Sequence, residues 1–330
     1  MATYKGVKGI KVESLASDPP VATSVGEMWY NTTSNTLKYS IEGGGSWASV
    51  ANVNTGTRSL AGCGTQTAAL KAGGMYDKTN TELYNGTAWT EVAGALNQGR
   101  NTPVAWGSTT AAICASGYKT DDNATYNSAE DWNGVGWTVL ATMTTARGYA
   151  MGSNQGTTTA GIVIGGWGPA YSTPTGLTEE WNGVGWTEKA DLNTNRKAAI
   201  GGGTSTAAFI AGGTPPIPST GLLHEQYNGT AWTELQAITT ARYFPGGAGT
   251  TTTAMIFAGS ADPPTYANTE QWNGTSWTEV ADLGTARERP ASGLGSSTAA
   301  LCVVGSTPPS YNITEAWNSP TLAIKTVTVS

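Results

Sequence analysis

The chain has little charge and a single histidine, and both shortages exclude functions. Charged residues make up 12% of the 330 residues, and the formal net charge is −6. Because a nucleic-acid surface needs clustered Lys and Arg, we expect no nucleic-acid partner. One imidazole, that of His224, cannot form a copper site built from histidine ligands. Asp121, Asp122 and Asn123 fit a polar loop tip better than a calcium site. We therefore expect no metal and no cofactor.

Cysteines are few, and long apolar runs are missing. Three cysteines cannot all pair, and Cys114 and Cys302 lie in similar apolar runs, AAICASG and ALCVVG. With Cys63, we expect them to be reduced, buried, small hydrophobic residues made in a reducing compartment. No run reaches the length of a transmembrane helix, and the first twenty residues lack the apolar core of a signal peptide. We therefore expect no membrane insertion.

What the chain does have is a long internal repeat. An arginine recurs six times at intervals of about 45 residues, and a tryptophan precedes it by 10 or 11 residues each time. The arginines are Arg58, Arg100, Arg147, Arg196, Arg242 and Arg287, and the tryptophans are Trp47, Trp89, Trp137, Trp186, Trp232 and Trp277. Repeats of this length with strand-like content are typical of β-propellers. The sequence predicts an all-β, six-bladed β-propeller with four-stranded blades.

Each repeat contains sequence signals for four short strands. The second strand is a continuous apolar run, such as AGIVIGG, which indicates burial on both faces. Between the third and fourth strands lies Asn-Gly, a hairpin signal because both residues tolerate positive φ. The last repeat lacks a fourth strand, and residues 46–58 (SWASVANVNTGTR) can supply it. We therefore expect an N-terminal strand to complete the last blade and close the ring.

These features divide the chain into three parts. Residues 1–45 form an N-terminal arm, residues 46–318 form the propeller, and residues 319–330 form a C-terminal strand. That strand alternates in polarity, so it can join a sheet edge or pair with another subunit.

The repeat resembles the kelch family over roughly residues 46–318. The resemblance rests on paired glycines after the second strand, a spaced aromatic residue and tryptophan, and the arginine that follows. The glycine pairs are Gly73-Gly74, Gly165-Gly166 and Gly212-Gly213, replaced by Ser116-Gly117, Gly259-Ser260 and Gly305-Ser306 elsewhere. The resemblance implies a propeller of kelch type.

The arm resembles a short element of bacteriophage tail-fibre and other virion proteins. The element runs Gly-x-x-Trp-Tyr-Asn, a short strand and a second tryptophan, here Gly26, Trp29, Tyr30, Asn31 and Trp47. The resemblance implies a virion protein that is made in the host cytoplasm. It also implies that residues 1–45 attach to other virion proteins or to sister subunits of a homo-oligomer.

One face of the predicted propeller carries variable loops, the usual place for binding on a repetitive scaffold. Parity puts the loops between strands two and three, and the links between repeats, on that face. The candidate ligand-binding residues there are Tyr118, Tyr126, Trp167, Tyr171, Ile217, Tyr266 and Tyr311. They are of the kind found in binding loops, and we expect them to contact a host-surface glycan or protein. The alternative is that they cover loop backbones or form subunit contacts.

The six arginines are expected near the same face, as a ring at the channel mouth. Such a ring could bind an anionic sugar or phosphate. A glutamate recurs with it, however, at Glu82, Glu130, Glu180, Glu225, Glu270 and Glu315. Six arginines and six glutamates near one face favour structural ion pairs.

The sequence therefore favours a non-catalytic virion adhesin, such as a tail fibre. The first alternative is a structural decoration or hub protein of capsid or tail. The second is a glycan-cleaving enzyme, for which Asp131 and Glu179 are the acidic candidates outside the repeat pattern. No Gly-rich phosphate loop and no Ser-His-Asp set is present, and we expect no catalytic residues.

Overall fold

The chain folds into β-strands, and the described residues contain no α-helix. The computed structural model describes residues 12–20, 26–121, 124–169, 173–214, 221–261, 264–291, 293–306, 312–320 and 322–327. Within these ranges, no helix has the length and apolar character to cross a membrane. The chain divides into two compact units, Ser46–Asn318 and Met1–Gly45 with Ser319–Ser330.

The described residues contain twenty-seven short strands. In chain order they are β1 (Glu13–Leu15), β2 (Met28–Asn31), β3 (Thr36–Glu42), β4 (Ser46–Val50), β5 (Ala61–Thr65), β6 (Ala68–Ala72), β7 (Thr81–Tyr84), β8 (Trp89–Val92), β9 (Val104–Gly107), β10 (Ala112–Ala115), β11 (Ala129–Trp132), β12 (Trp137–Val139), β13 (Met151–Gly152), β14 (Gly161–Ile164), β15 (Thr178–Trp181), β16 (Trp186–Lys189), β17 (Ile200–Gly203), β18 (Ala208–Ala211), β19 (His224–Tyr227), β20 (Trp232–Leu235), β21 (Gly246–Gly249), β22 (Ala254–Phe257), β23 (Thr269–Trp272), β24 (Trp277–Val280), β25 (Leu301–Val303), β26 (Thr314–Asn318) and β27 (Leu322–Thr326).

The strands form seven sheets, six of which belong to the unit Ser46–Asn318. Sheets I (β5–β8), II (β9–β12), III (β13–β16), IV (β17–β20) and V (β21–β24) each have four antiparallel strands, and sheet VI has β25, β26 and β4. The first strands of neighbouring sheets lie side by side from β5 through β21. This arrangement of small antiparallel sheets fits a β-propeller.

The second strands of the sheets lie in the core. Strands β10, β14, β18 and β22 are buried at every residue, as their continuous apolar sequences predict. Cys63, Cys114 and Cys302 lie in this core, unpaired and fully buried, which confirms the prediction of reduced small hydrophobic residues. Burial raises the pKa of the Cys114 and Cys302 thiols to about 12.

Six apolar clusters hold the sheets together, and each takes its residues from two sheets. Trp132 and Trp137 of sheet II pack with Leu70 of sheet I. The equivalent cluster of Trp89 and Leu301 joins sheet I to sheet VI. Burying one large apolar side chain contributes about 1.5–3 kcal/mol, so these inter-sheet seams are the main source of stability.

Sheet VI has three strands where the repeat predicts four. Strand β4 pairs antiparallel with β26, and Trp47 lies opposite Trp317. On the other side of β25, Gly293 and Gly295 have φ values of 85° and 92°, which interrupt an extended strand. The amides of these glycines donate instead to the carbonyls of Gly247 (2.9 Å) and Gly64 (3.0 Å), in sheets V and I.

The turn between the third and fourth strands lies at Asn-Gly, as predicted, and has four residues. In sheet I, Tyr84 pairs with Trp89, so four residues form the turn. Gly86 has φ 92°, but Asn85 is not left-handed. The Asn85 side-chain oxygen instead accepts the amides of Thr87 (2.9 Å) and Ala88 (2.8 Å). Asn-Gly therefore marks the hairpin correctly, by a different turn geometry.

The glycine that closes the second strand is constant at only one of the two predicted positions. The left-handed pairs in sheets V and VI are Ala258-Gly259 and Val304-Gly305, not Gly259-Ser260 and Gly305-Ser306. A Cβ at Gly259 would lie 2.8 Å from the Tyr243 carbonyl oxygen, and one at Gly305 would lie 3.0 Å from the Glu288 carbonyl oxygen. The second position therefore needs glycine, whereas other residues adopt the first.

The N-terminal unit is a separate sheet with strand order β1-β2-β3-β27. Strands β1 and β2 are parallel, and the C-terminal strand β27 pairs antiparallel with β3. Asp18 organises this sheet: it accepts hydrogen bonds from Trp29 Nε1 (3.1 Å), Asn31 Nδ2 (2.6 Å) and Lys38 Nζ (2.7 Å). The bond from Lys38 lowers the pKa of Asp18. The Trp-Tyr-Asn element thus turns its first and third side chains toward one carboxylate.

A buried glutamate on the third strand holds the link that enters each of sheets II to VI. In sheet II, Glu130 accepts the amides of Asn97 (2.7 Å) and Gln98 (3.3 Å), and Arg100 Nη2 lies 2.6 Å from its Oε1. Arg100 Nη1 donates to the carbonyls of Ser116 and Ser128. The corresponding pairs are Arg147–Glu179, Arg196–Glu225, Arg242–Glu270 and Arg287–Glu315, all at most 3% exposed.

In sheet III the recurring glutamate is Glu179, and the prediction of Glu180 is wrong. Glu179 lies two residues before Trp181, on the strand face that meets Arg147. Strand alternation turns Glu180 to the opposite face. There it pairs with the partly exposed Lys189 at 2.7 Å.

These adjacent glutamates offer a matched test of the buried pair. We expect Glu179→Gln to lower the free energy of unfolding by about 3–5 kcal/mol, because it leaves the Arg147 charge buried without a partner. Glu180→Gln should cost less than about 1 kcal/mol, because its pair is solvent-exposed. Urea unfolding of both variants measures the difference, and equal losses would contradict the structural role of Glu179.

Candidate functional site

Five of the six predicted channel-mouth arginines are inaccessible to a ligand. Arg100, Arg147, Arg196, Arg242 and Arg287 are at most 1% exposed. The rings of two predicted ligand-binding residues cover two of them: Tyr126 lies 5.8 Å from the Arg100 guanidinium, and Tyr266 lies 5.8 Å from that of Arg242. These arginines and both tyrosines take part in the packing of the loop face.

Six residues line a cavity at the predicted channel mouth. Five of them come two positions after the buried arginines, and the sixth, Ser59, directly follows Arg58. We call these the mouth residues: Ser59, Thr102, Tyr149, Ala198, Phe244 and Arg289. All six are left-handed, with φ between 51° and 58°. They surround a cavity of about 70 Å³. The sequence missed them because their side chains share no chemistry.

A circuit of hydrogen bonds fixes this unusual backbone. Each mouth residue donates its backbone N–H to an oxygen atom of another mouth residue. The bonds run from Ser59 to Arg289 O (3.1 Å), Thr102 to Ser59 O (2.7 Å), Tyr149 to Thr102 Oγ1 (3.1 Å), Ala198 to Tyr149 O (3.1 Å), Phe244 to Ala198 O (2.7 Å) and Arg289 to Phe244 O (2.9 Å). The circuit offsets the cost of holding non-glycine residues at positive φ.

Aromatic rings and cations gather on one side of the mouth. The Tyr149 ring stacks on Tyr118 at 5.2 Å and meets Phe244 at 5.5 Å and Trp167 at 6.1 Å. Lys197 Nζ lies 3.0 Å from the centre of the Trp167 ring. We call these five residues, with Arg289 over Phe244 at 3.9 Å, the mouth cluster.

Burial changes the acid–base behaviour of two members of this cluster. Burial, together with the nearby charge of Arg289, lowers the pKa of Lys197 to about 8. Burial and a hydrogen bond with Tyr118 raise the pKa of Tyr149 to about 12. The cluster therefore presents a cation on an aromatic surface at neutral pH, an arrangement that suits contacts with polar ligands.

The predicted binding aromatics have different positions. Tyr118 is 8% exposed within the mouth cluster, and Trp167 is half-buried beneath Lys197. Tyr171, Ile217 and Tyr311 lie outside the described residues. The structure thus brings Tyr118 and Trp167 together, while Tyr126 and Tyr266 each lie over a buried arginine.

Sheet I departs from the repeat by one residue. Its glutamate, Glu82, accepts the amides of Asn54 (2.8 Å) and Thr55 (2.9 Å). In the other five sheets, the arginine stands three residues after the first such amide. Thr57 takes that place in sheet I, and Arg58 comes one position later. Arg58 is therefore out of register with the other five arginines.

A lysine replaces the missing guanidinium, so the prediction that all six arginines form ion pairs with the recurring glutamates is wrong for Arg58. Lys71 Nζ lies 2.7 Å from Glu82 Oε1, and both side chains are 0% exposed. Lys71 stands on β6, at a strand position that is apolar in every other sheet. The equivalent residues are Cys114, Val163, Ile210, Ile256 and Cys302.

Released from this pair, Arg58 is half-buried and makes neutral contacts. Its Nε lies 2.9 Å from Met75 Sδ, and its Nη1 lies 2.7 Å from Ser306 Oγ. It lines a cavity of about 120 Å³ together with Met75, Tyr76 and Lys78. Of the six predicted arginines, Arg58 alone is partly exposed.

A further cavity of about 470 Å³ lies at the opposite end of the sheets, among the tight turns. Its walls are uncharged and include Gln66, Ser108, Asn154 and Gln155. Asn154 Oδ1 accepts the Gly203 amide at 2.9 Å, whereas Asn154 Nδ2 has no acceptor within the described residues. The sequence did not predict this cavity, because a turn in sheet III that is longer than its equivalents positions Asn154.

The structure does not unite the two catalytic candidates. Glu179 is committed to the ion pair with Arg147. Asp131 lies on β11 of sheet II, where burial raises the pKa of its carboxyl group. Among the described residues, no group of three His, Cys, Asp or Glu side chains could hold a metal ion. Asp122 and Asn123, considered for calcium, lie outside those residues.

His224 occupies a structural position on the third strand of sheet IV. The same position holds a threonine in sheets I, III, V and VI. The Trp137, Trp232 and Trp47 indoles donate to three of these, Thr81, Thr178 and Thr269. His224 Nδ1 likewise lies 3.3 Å from Trp277 Nε1. Burial lowers the pKa of His224 to about 4, so the ring is neutral at pH 7.

Comparison with known proteins supports the fold alone. No family model matches the sequence, and no curated protein is similar to it. The solved structure of YjhT resembles this chain with a TM-score of 0.66 at 12% identity, over 82% of this chain and 99% of YjhT. It is one of 240 matching chains.

Replacement of His224 by the threonine of the other repeats should reduce acid sensitivity. A neutral buried histidine contributes stability that is present above its unfolded-state pKa of about 6.5 and is lost as the pH falls to about 4. Between pH 7 and pH 5, the wild type should lose about 2 kcal/mol through this residue, and His224→Thr should not. Urea unfolding at both pH values measures this difference. Thr269→Ser is the control, and parallel losses in wild type and His224→Thr would refute the role.

Proposed function

We propose that the chain is a non-catalytic bacteriophage virion protein, a tail fibre or similar adhesin, that binds a host-surface glycan or protein. The observation that carries the binding part is the mouth cluster, where a repetitive scaffold presents unlike side chains. Five buried arginine pairs hold the loop face in nearly identical ways, whereas the mouth residues next to them range from alanine to arginine. Variation confined to one face of a regular scaffold supports recognition.

The proposal includes a six-bladed, kelch-like propeller whose last blade is completed by β4. Two observations support a closed ring of six. The hydrogen-bond circuit of the mouth residues returns to its starting residue after six members. The apolar cluster of Trp89 and Leu301 joins sheet VI back to sheet I. A ring joined through β4 has no free blade edge from which to unfold.

The virion part of the proposal comes from the N-terminal unit. The resemblance of its Trp-Tyr-Asn element to virion proteins is supported by an internal reason for the motif, since Trp29 and Asn31 both bind Asp18. Tyr30 between them is 36% exposed. We assign this unit to attachment, either to other virion proteins or to sister subunits, and place the protein in virions assembled in the host cytoplasm.

The main alternative is a decoration or hub protein of capsid or tail, in which the loop face binds other virion proteins. The half-buried state of Trp167 and the lids formed by Tyr126 and Tyr266 favour it over a glycan-cleaving enzyme. The ion pair between Glu179 and Arg147 argues against a catalytic role for Glu179.

Immunogold electron microscopy of purified virions tests the assignment directly. Antibody to the propeller should label tail tips or fibres. Label over the capsid would favour decoration, and absence of label would contradict the virion assignment.

Binding of the purified protein to host cells tests the mouth cluster. We expect Phe244→Ala and Lys197→Ala to lower affinity at least tenfold, because each removes part of the ring and cation surface. Val184→Ser, in an exposed tight turn at the other face, is the control. Flow cytometry with labelled protein measures the affinity. Unchanged binding by both mouth variants would move the site elsewhere.

A further inference from the structure

Besides the mouth cluster, a surface pocket on sheet I departs from the symmetry of the repeat. We call it the first-sheet pocket: a cavity of about 120 Å³ lined by Gly56, Thr57, Arg58, Met75, Tyr76 and Lys78. None of the other five sheets places its arginine in such a cavity, because there the guanidinium is buried against glutamate. The pocket is therefore not a by-product of the repeat.

Two linked changes create it. The one-residue shift moves Arg58 away from Glu82, and Lys71 supplies the buried charge that Glu82 then needs. Without Lys71, Glu82 would be a buried carboxylate with no cation, a loss of several kcal/mol. Both changes together preserve the fold while releasing one guanidinium to the surface.

Arg58 and Lys78 give the pocket two positive charges. None of the ion pairs among the described residues includes Arg58 or Lys78. The nearest acidic residue in sequence, Asp77, accepts hydrogen bonds from the Thr120 amide (3.0 Å) and hydroxyl (3.2 Å), on sheet II. The Met75 thioether that meets Arg58 Nε is a weak acceptor, which an anionic oxygen would outcompete.

An exposed aromatic ring stands beside these cations. Tyr76 is 74% exposed. Tyr76 and Asp77 have φ values of 62° and 53°, two successive left-handed residues that are not glycine. Such a backbone costs of order 1–3 kcal/mol per residue and persists where the surroundings impose it. Here it holds a large ring at the rim of a cationic cavity.

We propose that the first-sheet pocket binds the acidic group of a saccharide. Arg58 and Lys78 bind a carboxylate or sulfate ester, since a guanidinium matches the paired oxygens of either group. The sugar ring that carries this group lies against Tyr76, the exposed aromatic residue of the pocket lining. The inference rests on the proposed adhesin function and names its ligand class.

Calorimetric titration of the full chain with defined oligosaccharides tests the ligand class. The probes are a digalacturonate, a sulfated disaccharide and neutral maltose at millimolar concentrations. We expect heat of binding from at least one acidic probe and none from maltose, and the acidic probe that binds identifies the group as carboxylate or sulfate. Binding of neither acidic probe, or equal binding of maltose, would overturn the proposal.

Two variants assign the binding to the pocket. Arg58→Met and Lys78→Met should each weaken binding of the acidic probe tenfold or more, the factor that corresponds to about 1.4 kcal/mol. Lys189→Met removes a cation on sheet III and should leave affinity unchanged. Each variant should keep the wild-type Tm, since neither Arg58 nor Lys78 belongs to a buried pair. Wild-type affinity in Arg58→Met would refute the assignment.

Cell binding separates this inference from the adhesin proposal. If wild-type protein fails to bind host cells but binds the acidic probe through Arg58, the adhesin function fails and the pocket stands. The opposite result is that wild type and Arg58→Met bind cells equally well and neither protein binds the acidic probe. In that case the adhesin function stands and the pocket fails.

Discussion

The buried carboxylate on the third strand is the interaction on which the repeat unit depends. In sheets I to V it accepts two amides from the link that enters its sheet, and in sheet VI it accepts one. Its cation comes from the same link, or from β6 in sheet I. A buried ion pair contributes little net stability over a well-packed apolar substitute, because desolvation consumes most of the attraction. Its effect is specificity: a link shifted by one residue would leave a carboxylate and two amides unsatisfied. The apolar seams between sheets supply the energy, and the carboxylate sets the register.

Sheet I shows how strict this constraint is. Although Arg58 is shifted away from Glu82, sheet I still has a buried cation. Lys71 supplies it from a strand position that is apolar in the other sheets. The carboxylate thus requires a positive charge, but the charge can come from the link or from the second strand. A guanidinium also binds two carbonyls at the ends of the second and third strands, as Arg100 does with Ser116 and Ser128. Lys71 reaches the carbonyl of Thr55 instead, so those strand ends in sheet I lack the clamp.

The repeat period, the buried second strands and the hairpin positions could all be predicted from sequence, because each follows from local composition. The errors arose where one residue decides which way a side chain faces. Arg58 and Arg100 both stand 11 residues after a tryptophan, one residue more than the other four arginines. In sheet II the additional residue lies before the bound amides, whereas in sheet I it lies after them. The confusion of Glu179 with Glu180 has the same origin, since neighbouring strand residues face opposite sides. The mouth residues share only a backbone conformation, which no side-chain pattern reveals.

In a repeat protein, symmetry itself provides the control for reading function. A residue found at the same place in every sheet, such as the buried arginine, is explained by what every sheet needs. His224 shows that a side chain capable of catalysis or metal binding can have a purely structural role. It contacts a tryptophan indole, as threonine does in other sheets. Arg58 is the reverse case, because the same residue type, moved by one position, leaves the structural pair and keeps its charge for other contacts. The best candidates for function in this chain are therefore residues that depart from the repeat while another residue fills the structural role, as Lys71 does for Arg58.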